Sequence, residues 1–309
     1  MKRFLLILVF AMFSFAKAQT LEFSIAYPLT AQVAISGVAV SEALSFGLAA
    51  SLERLRLSAN AGLEIAPIGS LQANASLEWA FVGRFRITLA TRATLGSATL
   101  NLGLALWSAA PANFDPFEIY TADPLPNSTG GSRFEVGLGL RISRSLSLFT
   151  KLYLGSDASS NSLQLRYRSN DFDLYGGFFA ATGANGEIYL LQSGLTLPFE
   201  DAALVFSVGA GVGLLNNNLT YEANLGVLFG ISENIALELS LVYQPWRFEV
   251  LPLRSSLELS LSPGFGTLRL TGFVGVNQQN IFNWGLRLSY RLALEELFPA
   301  PSSSGFRLP

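Results

Sequence analysis

From Phe282 to Leu292 every second residue is apolar. Phe282, Trp284, Leu286, Leu288, Tyr290 and Leu292 alternate with Asn283, Gly285, Arg287, Ser289 and Arg291. A two-residue period puts the first set on one face of a strand and the second set on the other. The period recurs along the chain, and the charged residues fall nearly all on one of its phases. Short polar or Gly/Pro segments interrupt it at 41–43, 67–70, 96–97, 143–145, 169–171, 198–201, 232–234 and 262–265. Three of these share a cadence: Val40-Ser41-Glu42-Ala43-Leu44, Ile142-Ser143-Arg144-Ser145-Leu146 and Ile231-Ser232-Glu233-Asn234-Ile235. A second series of breaks lies between them, at 28–31, 53–54, 82–84, 108–132, 156–161, 182–186, 215–218, 244–247 and 277–280. Eight turns and nine loops separate eighteen strands and leave both ends of the set on one side. Losing one hairpin, the first or the one at Glu53-Arg54, would leave sixteen.

Strands of about 9–11 residues that are apolar on one face and polar on the other have the length and pattern of tilted membrane-crossing strands. The expected fold is therefore all-β: a closed antiparallel transmembrane β-barrel with short periplasmic turns, spanning 19–292. Closure is required because lipid offers no partner to an open sheet edge. A soluble sandwich or solenoid is disfavoured by the uniformly apolar outward faces. One phase slip stands out. Phe248 and Val250 are on even numbers, Leu257, Leu259 and Leu261 on odd ones, so a β-bulge is expected near Pro252 to Ser256. Aromatics on the lipid phase sort into two belts. Tyr27, Trp79, Phe81, Phe85, Phe134, Tyr221, Tyr243 and Trp284 fall near one rim, and Phe46, Tyr167, Phe172, Phe229 and Tyr290 near the other.

Composition narrows the setting. The 309 residues have a mean hydropathy of +0.40, yet no long apolar run follows the first sixteen. Those open with Lys2 and Arg3, continue through an apolar stretch from Phe4 to Phe15, and reach Ala16-Lys17-Ala18. This reads as a signal peptide over 1–18 with Gln19 as the mature N-terminus. Its removal takes three cations with it and shifts the net charge from −2 to −5. That balance gives no reason to expect a nucleic-acid partner. The chain has no cysteine and no histidine. Disulfides, thiolate or imidazole metal sites and imidazole-assisted nucleophiles are thereby excluded. No cofactor, metal or catalytic site is expected. Residues 293–309 read as a C-terminal periplasmic extension.

The water-facing phase carries the candidate functional residues. Arg86, Arg92, Arg141, Lys151, Arg166 and Arg168, with Glu135 among them, fall on strands six to ten. Glu222, Glu238 and Glu258 fall on strands fourteen to sixteen, half a ring away. Two readings follow. A basic wall facing an acidic one would set a transverse field across an aqueous path. Alternatively, the charges pair with neighbours and keep the interior wet. The long connection at 108–132 carries four prolines together with Asp115, Glu118 and Asp123. Loops of this length are commonly functional or disordered. It either folds inward as a constriction or stays outside.

Other motifs are discounted. Gly209-Ala210-Gly211-Val212-Gly213 resembles a phosphate loop but lies mid-strand, with its glycines on the inward phase, where they leave room for an inserted segment. Glu64 and Glu78 mimic a glycosidase pair without a cleft. The sequon Asn127-Ser128-Thr129 has no meaning in a bacterial host. Calcium at the acidic loops is left open.

The signal, short turns, aromatic belts and long loop together resemble bacterial outer-membrane β-barrels of the porin kind. The likeness is architectural and covers the mature chain. It implies passive diffusion of small polar solutes and ions across the outer membrane, with lipid around the barrel, and admits a homo-oligomer. One departure is that such chains usually end on an aromatic residue, whereas here seventeen residues follow Leu292. Outer-membrane barrel enzymes resemble one another in needing a catalytic histidine, so an enzyme is not expected. The alternative function is a non-conducting barrel that anchors part of an envelope or secretion complex.

Overall fold

The computed structural model describes residues 20–27, 30–41, 43–65, 67, 69–109, 117, 120, 130–156, 158–183, 186–199, 204–245, 251–264, 266–277 and 281–294. The signal peptide, most of the long loop, and the extension beyond Leu294 lie outside these residues.

Eighteen strands follow one another: β1 (Thr20–Tyr27), β2 (Thr30–Ser41), β3 (Leu44–Ser51), β4 (Arg54–Ile65), β5 (Gly69–Ala80), β6 (Arg84–Leu95), β7 (Ala98–Trp107), β8 (Gly131–Arg141), β9 (Leu146–Gly155), β10 (Ser159–Arg168), β11 (Asp173–Gly183), β12 (Gly186–Phe199), β13 (Leu204–Leu215), β14 (Asn218–Ser232), β15 (Ile235–Tyr243), β16 (Leu253–Leu261), β17 (Gly266–Val276) and β18 (Phe282–Ala293). Each pairs antiparallel with the next, and β1 pairs with β18 from Thr20↔Ala293 to Tyr27↔Leu286. The sheet is thus a closed barrel without a free edge, as a membrane-spanning sheet must be. The Tyr27 and Trp284 rings stack at 4.5 Å across the closing seam. The strand count is eighteen and not sixteen.

The alternation predicts the two faces. On β4 to β7 the odd or even set that includes Leu57, Leu77, Leu89 and Leu104 is exposed outside, and the other set carries Asn60, Glu78, Arg86 and Asn101. Large apolar side chains left open on a barrel's outside suit hydrocarbon and not water. Eight connections lie on the rim that holds Thr20 and Ala293, here the turn rim, and nine on the other, the loop rim. Serine shapes several turns. Ser143 Oγ accepts from the amides of Ser145 and Leu146, and Ser232 Oγ from that of Asn234, which accounts for the shared cadence. At the loop rim Asn216 and Asn217 have φ of 49° and 66°, the two left-handed residues of a tight primed hairpin turn.

The expected bulge near Pro252 to Ser256 is absent. β16 begins at Leu253 and keeps one phase through Leu261 with unbroken registers to β15 and β17. Phe248 and Val250 lie outside the described residues. The register shifts occur instead in β2, between Ile35 and Val38 and between Ala39 and Ser41, and in β14 between Gly230 and Ser232. Gly37, at φ 72°, is the residue that permits the first. Outside this bulge Leu294 packs on Leu21 and Ile35 and covers the start of the seam.

Candidate functional site

The interior is one surface contributed by many strands. A cavity of about 1230 Å³ is lined from β2 through β12, and by Gln244 beyond β15, with Gln72, Asn74, Arg92, Asn101, Lys151 and Gln164 among its walls. A second cavity of about 500 Å³ opens at the turn rim on the other side, between Glu22, Arg269, Ser289 and Arg291.

The sequence-derived charges stand on the inward phase, and several of the cations share a carboxylate with a neighbour. Arg86 donates from Nε and Nη2 to Glu78 Oε2 at 2.9 and 2.7 Å, with Arg54 3.6 Å from the other oxygen. Lys151 and Arg133 flank Glu135 at 3.6 and 3.1 Å. Arg166 and Arg168 both bond Asp173, Arg168 at 3.0 Å. Arg92 lines the large cavity, and Arg141 ends β8 at the turn rim. The basic arc therefore contains three carboxylates, Glu78, Glu135 and Asp173, each shared between two cations, and it stays basic on balance. On the acidic arc one carboxylate, Glu258, has a cation beside it. Glu258 has Arg269 at 3.7 Å and the Thr271 hydroxyl at 3.1 Å, and Glu238 stands opposite it in the register. Glu222, 6% exposed, accepts from the amides of Gln192 and Gln244, and Gln244 in turn accepts from Arg254 Nη2 at 2.6 Å. Each arc thus holds groups of the opposite sign within a few ångströms, where cross-strand pairing is strongest, while the excess of cations on one arc and of carboxylates on the other remains.

The interior is also less uniformly polar than alternation implies. Near the loop rim, inward Trp107 packs with Ala80, Ala105 and Ala109, and inward Ile188 and Leu190 with Ala181. Tyr153 is 1% exposed, with Arg133 over its ring. Inward glycines seat several bulky groups. A Cβ on Gly211 would lie 2.8 Å from the Glu222 side chain, and one on Gly209 would meet Asn224 and the Tyr175 hydroxyl. The glycine run of β13 thus accommodates side chains of β11 and β14 and not an inserted segment.

Between its ends at Ser108, Ala109 and Gly130 the long loop has two described residues, and both lie inside. Phe117, 2% exposed, rests on Ala26, Phe273 and Gly285, and Arg287 stands 4.3 Å above its ring. Tyr120 stacks on Phe273 at 5.3 Å. Burial pushes its phenol above the ordinary value, so it remains a neutral hydroxyl. The connection rooted at β7 and β8 reaches the wall formed by β17, β18 and β1, nearly half the ring away. Asp115, Glu118 and Asp123 lie outside the described residues. The visible contacts are aromatic and fall on a wall bearing Arg287.

Closed strands, a lipid-compatible exterior and a water-accessible interior define a transmembrane β-barrel, porin-like in architecture. Two mutant forms of the Rhodopseudomonas blastica porin are similar in shape. They are 12% and 14% identical, both matches cover 88% of this chain and 96% and 97% of theirs, and the TM-score is 0.47 for each. A structure described as showing asymmetric conductivity of engineered proteins matches at 12% identity, 88% and 96% coverage and a TM-score of 0.46. The likeness is one of barrel shape. No protein-family model and no curated protein matches the chain.

Proposed function

We propose that this chain is an outer-membrane channel for passive diffusion of small polar solutes and ions. The observation that carries the reading is the polar cavity of about 1230 Å³ inside a barrel whose outer face is apolar. Burying so many polar groups out of reach of water would be costly, so this space is water-filled. Charged groups of both signs along the wall fit a path that admits small ions of either sign. Phe117 and Tyr120, packed on the inner wall at Ala26 and Phe273, take up lumen space and support a constriction there. Selectivity in such a pore follows from its diameter and its lining groups. Reconstitution in planar bilayers tests this: steady ohmic steps with a small reversal potential in a salt gradient are expected. Silence from correctly folded protein would overturn the channel. It would favour a structural anchor, a reading to which the apolar clusters near the loop rim lend weight.

A further inference from the structure

We propose that the larger interior compartment binds neutral, hydroxyl-rich solutes, that is, short saccharides. This names a solute class for the proposed channel, and transport, though not binding, rests on that reading. The first observation is the density of amides. Asn60, Gln72, Asn74, Asn101, Gln164 and Gln192 all face the compartment. Register ties them into rows: Asn60 lies opposite Asn74, Gln72 opposite Arg92, Arg92 opposite Asn101, and Gln192 next but one to Gln164 across Gly177. Asn60 and Asn74 hydrogen-bond each other. A primary amide offers both donors and an acceptor, which is the complement a sugar hydroxyl requires, whereas an ammonium offers donors alone and a carboxylate acceptors alone. The inward hydroxyls of Thr99 and Ser162 extend the same chemistry.

The charged groups on this wall are few: Lys151 and Arg133 share Glu135, and Arg92 stands between Gln72 and Asn101, so the amides outnumber the ions.

Phe149 supplies the second, independent observation. Large exposed apolar side chains of this barrel mostly point outward; Phe149 points in and is 39% exposed to the cavity. Its ring atoms come within 3.2 Å of where a Cβ on Gly139 would stand, so the ring lies along the wall over the glycine and presents a face to the water. A hydrated ion gains nothing from that face. The apolar C–H face of a pyranose covers it while the ring's equatorial hydroxyls reach the amides on either side. Amphipathic recognition of this kind, a flat apolar contact framed by a few placed polar groups, is the usual design of a small-molecule site.

The test uses the full chain folded in a sugar-free detergent and titrated with raffinose by calorimetry. Saturable binding is expected, weak and near the millimolar range. Phe149→Ala, and separately Gln72→Leu with Asn101→Leu, should weaken it about ten-fold, while Phe149→Tyr should stay within about three-fold of the parent. Each variant's fold is checked by the heat-dependent gel mobility of a closed barrel. No saturable heat with folded protein overturns the proposal, and so does an affinity that neither set of substitutions changes. Planar-bilayer recordings separate the two claims. Conductance without raffinose binding removes the site and leaves the channel; raffinose binding without conductance removes the channel and leaves the site.

Discussion

Of the three carboxylates that each serve two cations, Glu78 has the least exposed side chain. It is 5% exposed and serves both Arg86 and Arg54. Removing one member of a buried charge set leaves the others uncompensated. Glu78→Ala should lower the unfolding free energy in urea by about 2–4 kcal/mol, discounted from a fully buried pair because water reaches the arginines. Glu135→Ala, at a carboxylate with a quarter of its side-chain surface open, should cost about 1 kcal/mol or less. The lipid face gives a sharper contrast. Leu89 and Ala90 are sequence neighbours on opposite faces of β6. Leu89→Arg should destabilise by about 2–4 kcal/mol in vesicles, as a cation does at mid-bilayer, and Ala90→Arg by much less. Equal losses at the two positions would refute the assignment of faces. At this scale the sequence told which face each residue takes, because parity alone decides it. It did not tell that Glu78 would answer Arg86, which depends on β5–β6 register. It also passed over Asn60, Gln72, Asn74 and Asn101. The signal was present: on β4 to β7 the amides occupy only the inward phase.

At the scale of the element, the strand boundaries follow the breaks in alternation to within a few residues, since each break is made of residues that favour turns. The turn at Asn216-Asn217 shows how local chemistry suffices. Asn217→Val places a β-branched side chain at φ 66° and should cost about 1–2 kcal/mol, while Asn217→Gly should be close to neutral. Thermal unfolding of the two variants side by side checks it. Bulges were less legible. The shift in β2 was not anticipated, because Ser36-Gly37 breaks the phase by a single residue within an otherwise continuous strand. The shift expected near Pro252 did not occur, because β16 begins at Leu253 and stays in one register from there. A phase change in sequence does not distinguish a bulge from a strand end. Pairing with the neighbouring strand does.

On the scale of the whole molecule, the proposed channel turns on the long loop, whose Phe117 and Tyr120 are seated against Phe273 on the inner wall. Deleting residues 112–128 should raise single-channel conductance about two-fold or more, as expected when a constriction is removed from an aqueous pore. An unchanged conductance would show that the loop does not limit the path. Phe117→Ala should move conductance in the same direction by less, since Tyr120 still rests on the wall. The sequence by itself determined the all-β class, the eighteen strands, the two faces and the two rims. All of these follow from a two-residue period and from turn chemistry, which are local. Only the tertiary structure decided which charges cancel, which glycines carry bulky side chains, and where the loop's aromatics come to rest. Those depend on contacts between strands far apart in the chain, and only closure of the sheet brings them to one interior.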